Sequence, residues 1–189
     1  MRAEHQRAEA IRHDAERLMA RAFPLEAFVT ALRTAPPTRV SGSAIFMTAQ
    51  PTGTPAALVH NLRYNKILHE HVVVLTVATV PTPTVALDQR LTVRPMGANV
   101  HNARLQYGFM EDPDVPEVLG RLREAGVPVD ARDVTFFLGR ETIVVGQRKG
   151  MARWREKLFV LMARNAVRAT AFFKLPPERV VELGVQVEM

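Results

Sequence analysis

Residues 58–77, LVHNLRYNKILHEHVVVLTV, place His60, Asn61, Asn65, His69, Glu70 and His71 within twelve positions, ahead of an almost wholly apolar run. Three imidazoles and a carboxylate at close spacing could hold a metal ion, move protons or line a ligand pocket. The metal reading needs two histidines four apart on one helix face with a glutamate between them, as in metalloproteases. Here His69 and His71 are two apart around Glu70, at the end of a helix-forming stretch that passes into a strand, and His60 lies nine residues before His69. The spacing therefore favours polar side chains that hydrogen-bond a helix end and nearby loops, with no metal and no catalytic residue assigned.

Other chemistry is equally unsupported. The only serines, Ser41 and Ser43, flank Gly42 at a strand entrance and form no Gly-x-Ser-x-Gly elbow. Neither a phosphate-binding Gly-x-x-x-x-Gly-Lys-Ser/Thr loop nor a Gly-x-Gly-x-x-Gly fingerprint occurs. Cysteine is absent, which removes thiolate metal sites, disulfides and cysteine nucleophiles together. The expectation is a protein without catalysis.

Elements that position the cluster can be read from the patterning. Residues 2–22 are a charged, alanine-rich helix with a narrow apolar stripe. A second helix, about 24–34, opens on Pro24 and carries Leu25, Phe28, Val29 and Leu32 inward, and APPTRVSG (35–42) reads as a linker. SAIFMT (43–48) is a strand. Thr54-Pro55 reads as a hydroxyl cap and first helical position for a helix to about residue 67. The β-branched run 71–80 is a strand buried on both faces. Two antiparallel strands follow near 90–95 and 101–109. Asp114 caps another helix, with Gly126 beyond its end.

VTFFLG and TIVVGQ, on either side of Arg140-Glu141, read as a hairpin. A helix over about 151–167, a short helix ERVVEL ended by Gly184, and a final strand complete the chain. The fold class is α/β (α+β): a mixed β-sheet with helices packed on it. Two regions are expected, a charged helix with a linker over 1–40 and the main domain over 41–189.

The 189 residues carry a net charge of +6, a balance that favours an anionic neighbour. Seven basic residues (Arg148, Lys149, Arg153, Arg155, Lys157, Arg164, Arg168) face one acid, Glu156, between positions 147 and 169. A solvated helix face, an anion site or a membrane-facing surface would each look this way. Aromatics make up 6% of the chain and sit inside apolar runs, so base-stacking platforms are not evident. The longest apolar run, LFVLMA, is far short of the ~20 residues that span a bilayer, so the polypeptide as it stands reads as soluble.

The stretch opening on Leu58 is similar to the Leu-x-His-Asn-x-Lys-His-Asn-x-x-Leu-His-Glu signature of the Kup-type (HAK/KUP/KT) potassium uptake transporters. His60, Asn61, Asn65, Leu68, His69 and Glu70 fall on matching positions, with Arg63 and Tyr64 replacing a lysine and a histidine. TFFLGRETIVVGQ resembles the family's aromatic strand followed by Arg140-Glu141. The stretch from Arg164 to Met189 resembles the end of bacterial members at Asn165, Arg168, Pro176, Pro177, Arg179, Glu182, Gly184 and Glu188. PLEAFVTAL and RVSGSAIFMT extend the likeness upstream, to about residues 23–189 in all.

The resemblance implies a cytosolic C-terminal domain that follows a membrane bundle carrying potassium with protons, with residues 2–22 as the segment leaving the last membrane helix. On that reading the signature is a structural joint. The partners would be the transporter's own transmembrane part, an anionic membrane surface, and a second copy in a homodimer, without nucleic acid. No cofactor is expected; cyclic di-AMP or an adenine nucleotide is the regulatory ligand to test. A basic nucleotide- or nucleic-acid-binding module is the alternative.

Overall fold

A computed structural model describes residues 23–144 and 169–188, with residues 140–144 and 185–188 described through their main chain alone. In chain order the elements are α1 (Leu25–Thr34), β1 (Thr38–Thr48), α2 (Ala56–Asn65), β2 (Ile67–Val80), β3 (Leu91–Gly97) and β4 (Val100–Gly108). Then follow α3 (Val115–Glu124), β5 (Val134–Val144), the single turn α4 (Ala169–Phe172), a 3-10 turn (Pro177–Arg179) and β6 (Val180–Glu188). The charged segment 2–22 and the basic helix expected at 151–167 lie outside the described residues, as do Arg148, Lys149, Arg153, Arg155, Lys157, Asn165 and Arg168.

The six strands form one mixed sheet in the order β3-β4-β2-β1-β5-β6. All neighbours are parallel except the β3–β4 hairpin at one edge. Parallel strands have to be covered on both faces, and alternation along the central strands supplies two apolar surfaces. Ala44, Phe46, Leu68, Val72, Val74 and Phe137 pack with Leu25, Phe28, Val29 and Leu32 of α1 and with Ala57 and Leu58 of α2. On the opposite face, Ile45, Met47, Val73, Leu75, Leu105 and Phe136 pack with Val115, Val118, Leu119 and Leu122 of α3. The chain winds outward from β1 through β2 to β4, then crosses to β5 on the other side of β1.

Several sequence expectations need correction. β1 starts at Thr38, inside the segment read as a linker. It is interrupted between Val40 and Ser43, where its register shifts against β2. Gly42 makes that bulge possible, because φ is +93° and a Cβ there would lie 2.7 Å from the Asp133 carboxylate. Thr54 does not cap α2; its hydroxyl donates to the Phe23 carbonyl at 2.9 Å. No hairpin forms at Arg140-Glu141. β5 runs straight through them because Arg140 and Glu141 find ladder partners in Gly184 and Val185 of β6. For the same reason ERVVEL is not a helix. After the 3-10 turn its valines join the sheet, where β5 satisfies their main-chain groups better than a six-residue helix could. Asp114 caps α3 as read, accepting the Glu117 N–H at 3.2 Å.

Candidate functional site

The signature residues lie where α2 turns into β2. Lys66 adopts a left-handed conformation (φ 58°, ψ 19°) and returns its N–H to the Leu62 carbonyl at 3.0 Å, which ends the helix. Asn61 is buried, with 3% of its surface exposed, and its Nδ2 donates to the Ile67 carbonyl at 3.0 Å. Its Oδ1 accepts from Asn65 Nδ2 at 2.8 Å. Two amides thus clamp the last turn of the helix onto the first residue of the strand.

A second brace crosses the same edge of the sheet, and it involves a residue the sequence reading did not single out. Arg39 donates from Nη1 to the His69 carbonyl at 2.7 Å and from Nη2 to the Ala98 carbonyl at 2.9 Å. One guanidinium therefore ties β1, β2 and the β3–β4 turn. Burial lowers its pKa. Only the position of Arg39 next to a bulge could have marked it, and nothing in the sequence announces the bulge except Gly42.

The histidines are distributed around this joint. His69 and His71 alternate along β2, and His101 stands on the neighbouring β4, where it pairs in register with Val73. The Nδ1 atoms of all three are buried without a hydrogen-bond partner. Burial lowers the pKa of His69, an effect partly opposed by Asp133. Burial and, secondarily, His71 lower that of His101. His60 is lowered by burial and by Arg63, and its ring stacks on Tyr64 with centroids 5.6 Å apart. Glu70 points into solvent. Among the described residues no group of three or more His, Asp or Glu side chains is arranged to hold a metal ion.

These shifts fix the sign of a pH effect. A histidine whose folded pKa is below the ordinary value of 6.5 takes up a proton more readily when unfolded. Its contribution to stability is complete above that value and is lost as the pH falls through it towards the folded pKa. The urea midpoint is therefore expected to drop between pH 7.5 and about pH 5, and less so in His69→Gln and His101→Gln. A midpoint that rises on acidification would contradict the burial of neutral imidazoles.

The remaining signature residues are spread along the opposite side of the sheet. Glu182 of β6 accepts the Thr170 hydroxyl at 3.2 Å. Pro176 precedes the 3-10 turn begun by Pro177, and Arg179 of that turn donates to the Ala131 carbonyl. Gly184 pairs with Arg140 across the ladder. Of the first signature stretch, the hydrogen bonds join Asn61, Asn65 and the Ile67 carbonyl, whereas His60 stacks on Tyr64 and His69 lies edge-on to Phe137. In the last stretch Arg179, Glu182 and Gly184 each meet a different partner, Ala131, Thr170 and Arg140.

Residues 41–189 match the family of the K+ potassium transporter C-terminal domain. The chain belongs to that family. Curated relatives agree along nearly the whole sequence. A probable potassium transport system protein Kup of Myxococcus xanthus is 49% identical over 175 residues, covering 93% of this chain and 27% of the relative. Kup 2 of Chromobacterium violaceum is 48% identical, covering 92% of this chain and 28% of that protein. Kup 1 of Geobacter sulfurreducens is 45% identical, covering 91% and 27%. The chain thus spans about a quarter of the length of these relatives. No solved structure matches it. No described helix is long and apolar enough to cross a membrane.

Proposed function

We propose that this domain lies on the cytoplasmic face of a potassium uptake transporter and serves assembly or regulation of its membrane part, without catalysis of its own. Potassium–proton symport would be the work of that membrane part. The observation that carries this reading is the use made of the family signature. Asn61, Asn65 and Arg39 spend their hydrogen bonds on each other and on main-chain carbonyls, a use that fixes a shape. The partners in this reading are the transporter's transmembrane part, a second copy of the domain in a homodimer, and the anionic membrane surface. Nucleic acid is not a partner.

The test is to remove the segment corresponding to residues 41–189 from the Myxococcus xanthus relative and measure potassium uptake in a host lacking its own uptake systems. Uptake, or its response to external potassium, is expected to change, and grafting the present segment back is expected to restore it. Unchanged uptake and unchanged response after deletion would contradict the proposal.

A regulatory ligand is a further part of this proposal. Winding reverses between β1 and β5, and in open α/β sheets ligands bind outside the carboxyl ends of the strands at such a reversal. An adenine nucleotide such as cyclic di-AMP is the ligand class proposed for that crevice. Titration calorimetry with cyclic di-AMP and ATP that yields no heat at millimolar concentration would remove it.

A further inference from the structure

Among the described residues six large apolar side chains are left in solvent: Tyr64, Leu87, Phe109, Met110, Phe172 and Val181. Four of them gather at the carboxyl edge of the sheet. Phe109 and Met110 follow directly on β4, and Leu87 lies in the loop that leaves β2. Phe172 precedes Phe173, whose carbonyl accepts the N–H of Val115 at the start of α3. Their exposures are 53% for Leu87, 61% for Phe109, 73% for Met110 and 50% for Phe172.

These side chains are held out by a built framework. The N–H groups of Phe109 and Met110 donate to the carbonyls of Thr82 and Pro83 at 2.9 and 3.1 Å. The Glu111 carboxylate accepts the N–H groups of Gly108 (2.7 Å) and Val85 (3.0 Å) and pairs with Arg90. Arg121 donates to the Leu87 carbonyl. The two loops press so closely that a Cβ on Gly108 would lie 2.1 Å from the Pro83 carbonyl oxygen. A stapled pair of loops that keeps Phe, Met and Leu in water forgoes ~25 cal/mol for each Å² of apolar surface it could have buried, which marks the surface as one that something else covers.

The path of the chain shows where the described residues begin. The Thr54 N–H donates to the Phe23 carbonyl at 2.8 Å and the Leu25 N–H to the Thr52 carbonyl at 3.2 Å. Phe23 is therefore held just past the carboxyl end of β1, and α1 runs back from there until Arg33 reaches the Met96 carbonyl in the β3–β4 hairpin. In the relatives the matched piece is a C-terminal domain amounting to about a quarter of the protein. The described fold thus begins, at Phe23, on the same edge that carries the four apolar side chains.

We propose that the edge bearing Leu87, Phe109, Met110 and, at the end of α4, Phe172 dips into the headgroup–acyl boundary of the membrane that holds the upstream part, an inference that rests on the transporter reading above. Protruding side chains at loop tips suit a lipid interface, into which apolar groups insert individually. The contact is apolar, so it is separate from any attraction of the basic residues to anionic lipid.

The test is sedimentation of the 189-residue chain with vesicles of phosphatidylethanolamine and phosphatidylglycerol at about 0.5 M salt, where exposed charges are screened within a few ångströms. The wild-type chain is expected to sediment. A variant carrying Leu87→Ser, Phe109→Ser, Met110→Ser and Phe172→Ser is expected to partition about tenfold less or weaker still. Tyr64→Ser, at the amino edge, should behave as wild type. Met110→Ser alone alters only the most exposed side chain and should give a severalfold loss, so the result does not hang on the folding of the quadruple variant.

Wild-type protein that stays in the supernatant, binds only at low salt, or binds equally well with all four serines would overturn the inference. In the first case a protein surface is what covers the loops. If the wild type fails to sediment while deletion of the domain still alters potassium uptake, the transporter reading stands and the lipid contact alone falls.

Discussion

Phe46→Ala is expected to lower the unfolding free energy by about 3–5 kcal/mol, the usual cost of truncating a buried phenylalanine in a core that cannot collapse around the gap. Phe46 has no exposed surface. Its ring stacks on Phe137 with centroids 4.5 Å apart and planes within 15°. β1 is flanked on both sides by hydrogen-bonded strands, and α1 and α2 close the face above it. With neighbours fixed on every side, the cavity has little way to fill. Thermal unfolding should move down by roughly 6–20 °C, at 2–4 °C per kcal/mol for a chain of this size. Phe172→Ala, a similar deletion from a half-exposed side chain, should leave the midpoint nearly unchanged. Equal effects at the two positions would mean that the stacked aromatic pair is not at the centre of the core.

How far the sequence could be read depends on the range of the interactions involved. Local signals held. Pro24 opens α1, Asp114 caps α3, and the periodic residues read for α1, Leu25, Phe28, Val29 and Leu32, are those the structure buries. The apolar run 71–80 lies in a strand that is buried over residues 72–76, with its last four residues half-buried or exposed. The misreadings fell where a distant partner decided the outcome. Gly139-Arg140-Glu141 looks like a turn only until β6 is placed alongside it, and ERVVEL has helix-like spacing until β5 offers its edge. Thr54 has the residue type of a cap, but its hydroxyl donates a hydrogen bond to the Phe23 carbonyl, thirty-one residues upstream, instead.

The candidate site divides in the same way. Asn61 and Asn65 are four apart on one helix, so their mutual hydrogen bond follows from spacing. Arg39, His101, Glu111 and Asp133 matter only through strand order, which no local pattern in this chain encodes. Arg39 reaches the joint because β1 lies beside β2, although thirty residues separate it from His69. Glu111 organises the carboxyl edge because two loops from different strands converge on it. The resemblance to the transporter family is borne out by the family match, and within the signature it is Asn61 whose hydrogen bond bridges α2 and β2, where the Ile67 carbonyl would otherwise lack that partner.

The central claim is that the His–Asn signature braces the fold, and urea unfolding of Asn61→Leu tests it most directly. Leucine keeps the volume of the buried side chain but leaves the half-buried Ile67 carbonyl without its partner, while the exposed Asn65 amide can turn to water; a buried polar group left without its partner costs about 1–3 kcal/mol. The account predicts a fall of that size at an unchanged m-value, and a cost for Asn61→Leu with Asn65→Leu that is smaller than the sum of the two singles. A midpoint equal to that of the wild type would contradict it and return the cluster to the status of a binding site without a known ligand.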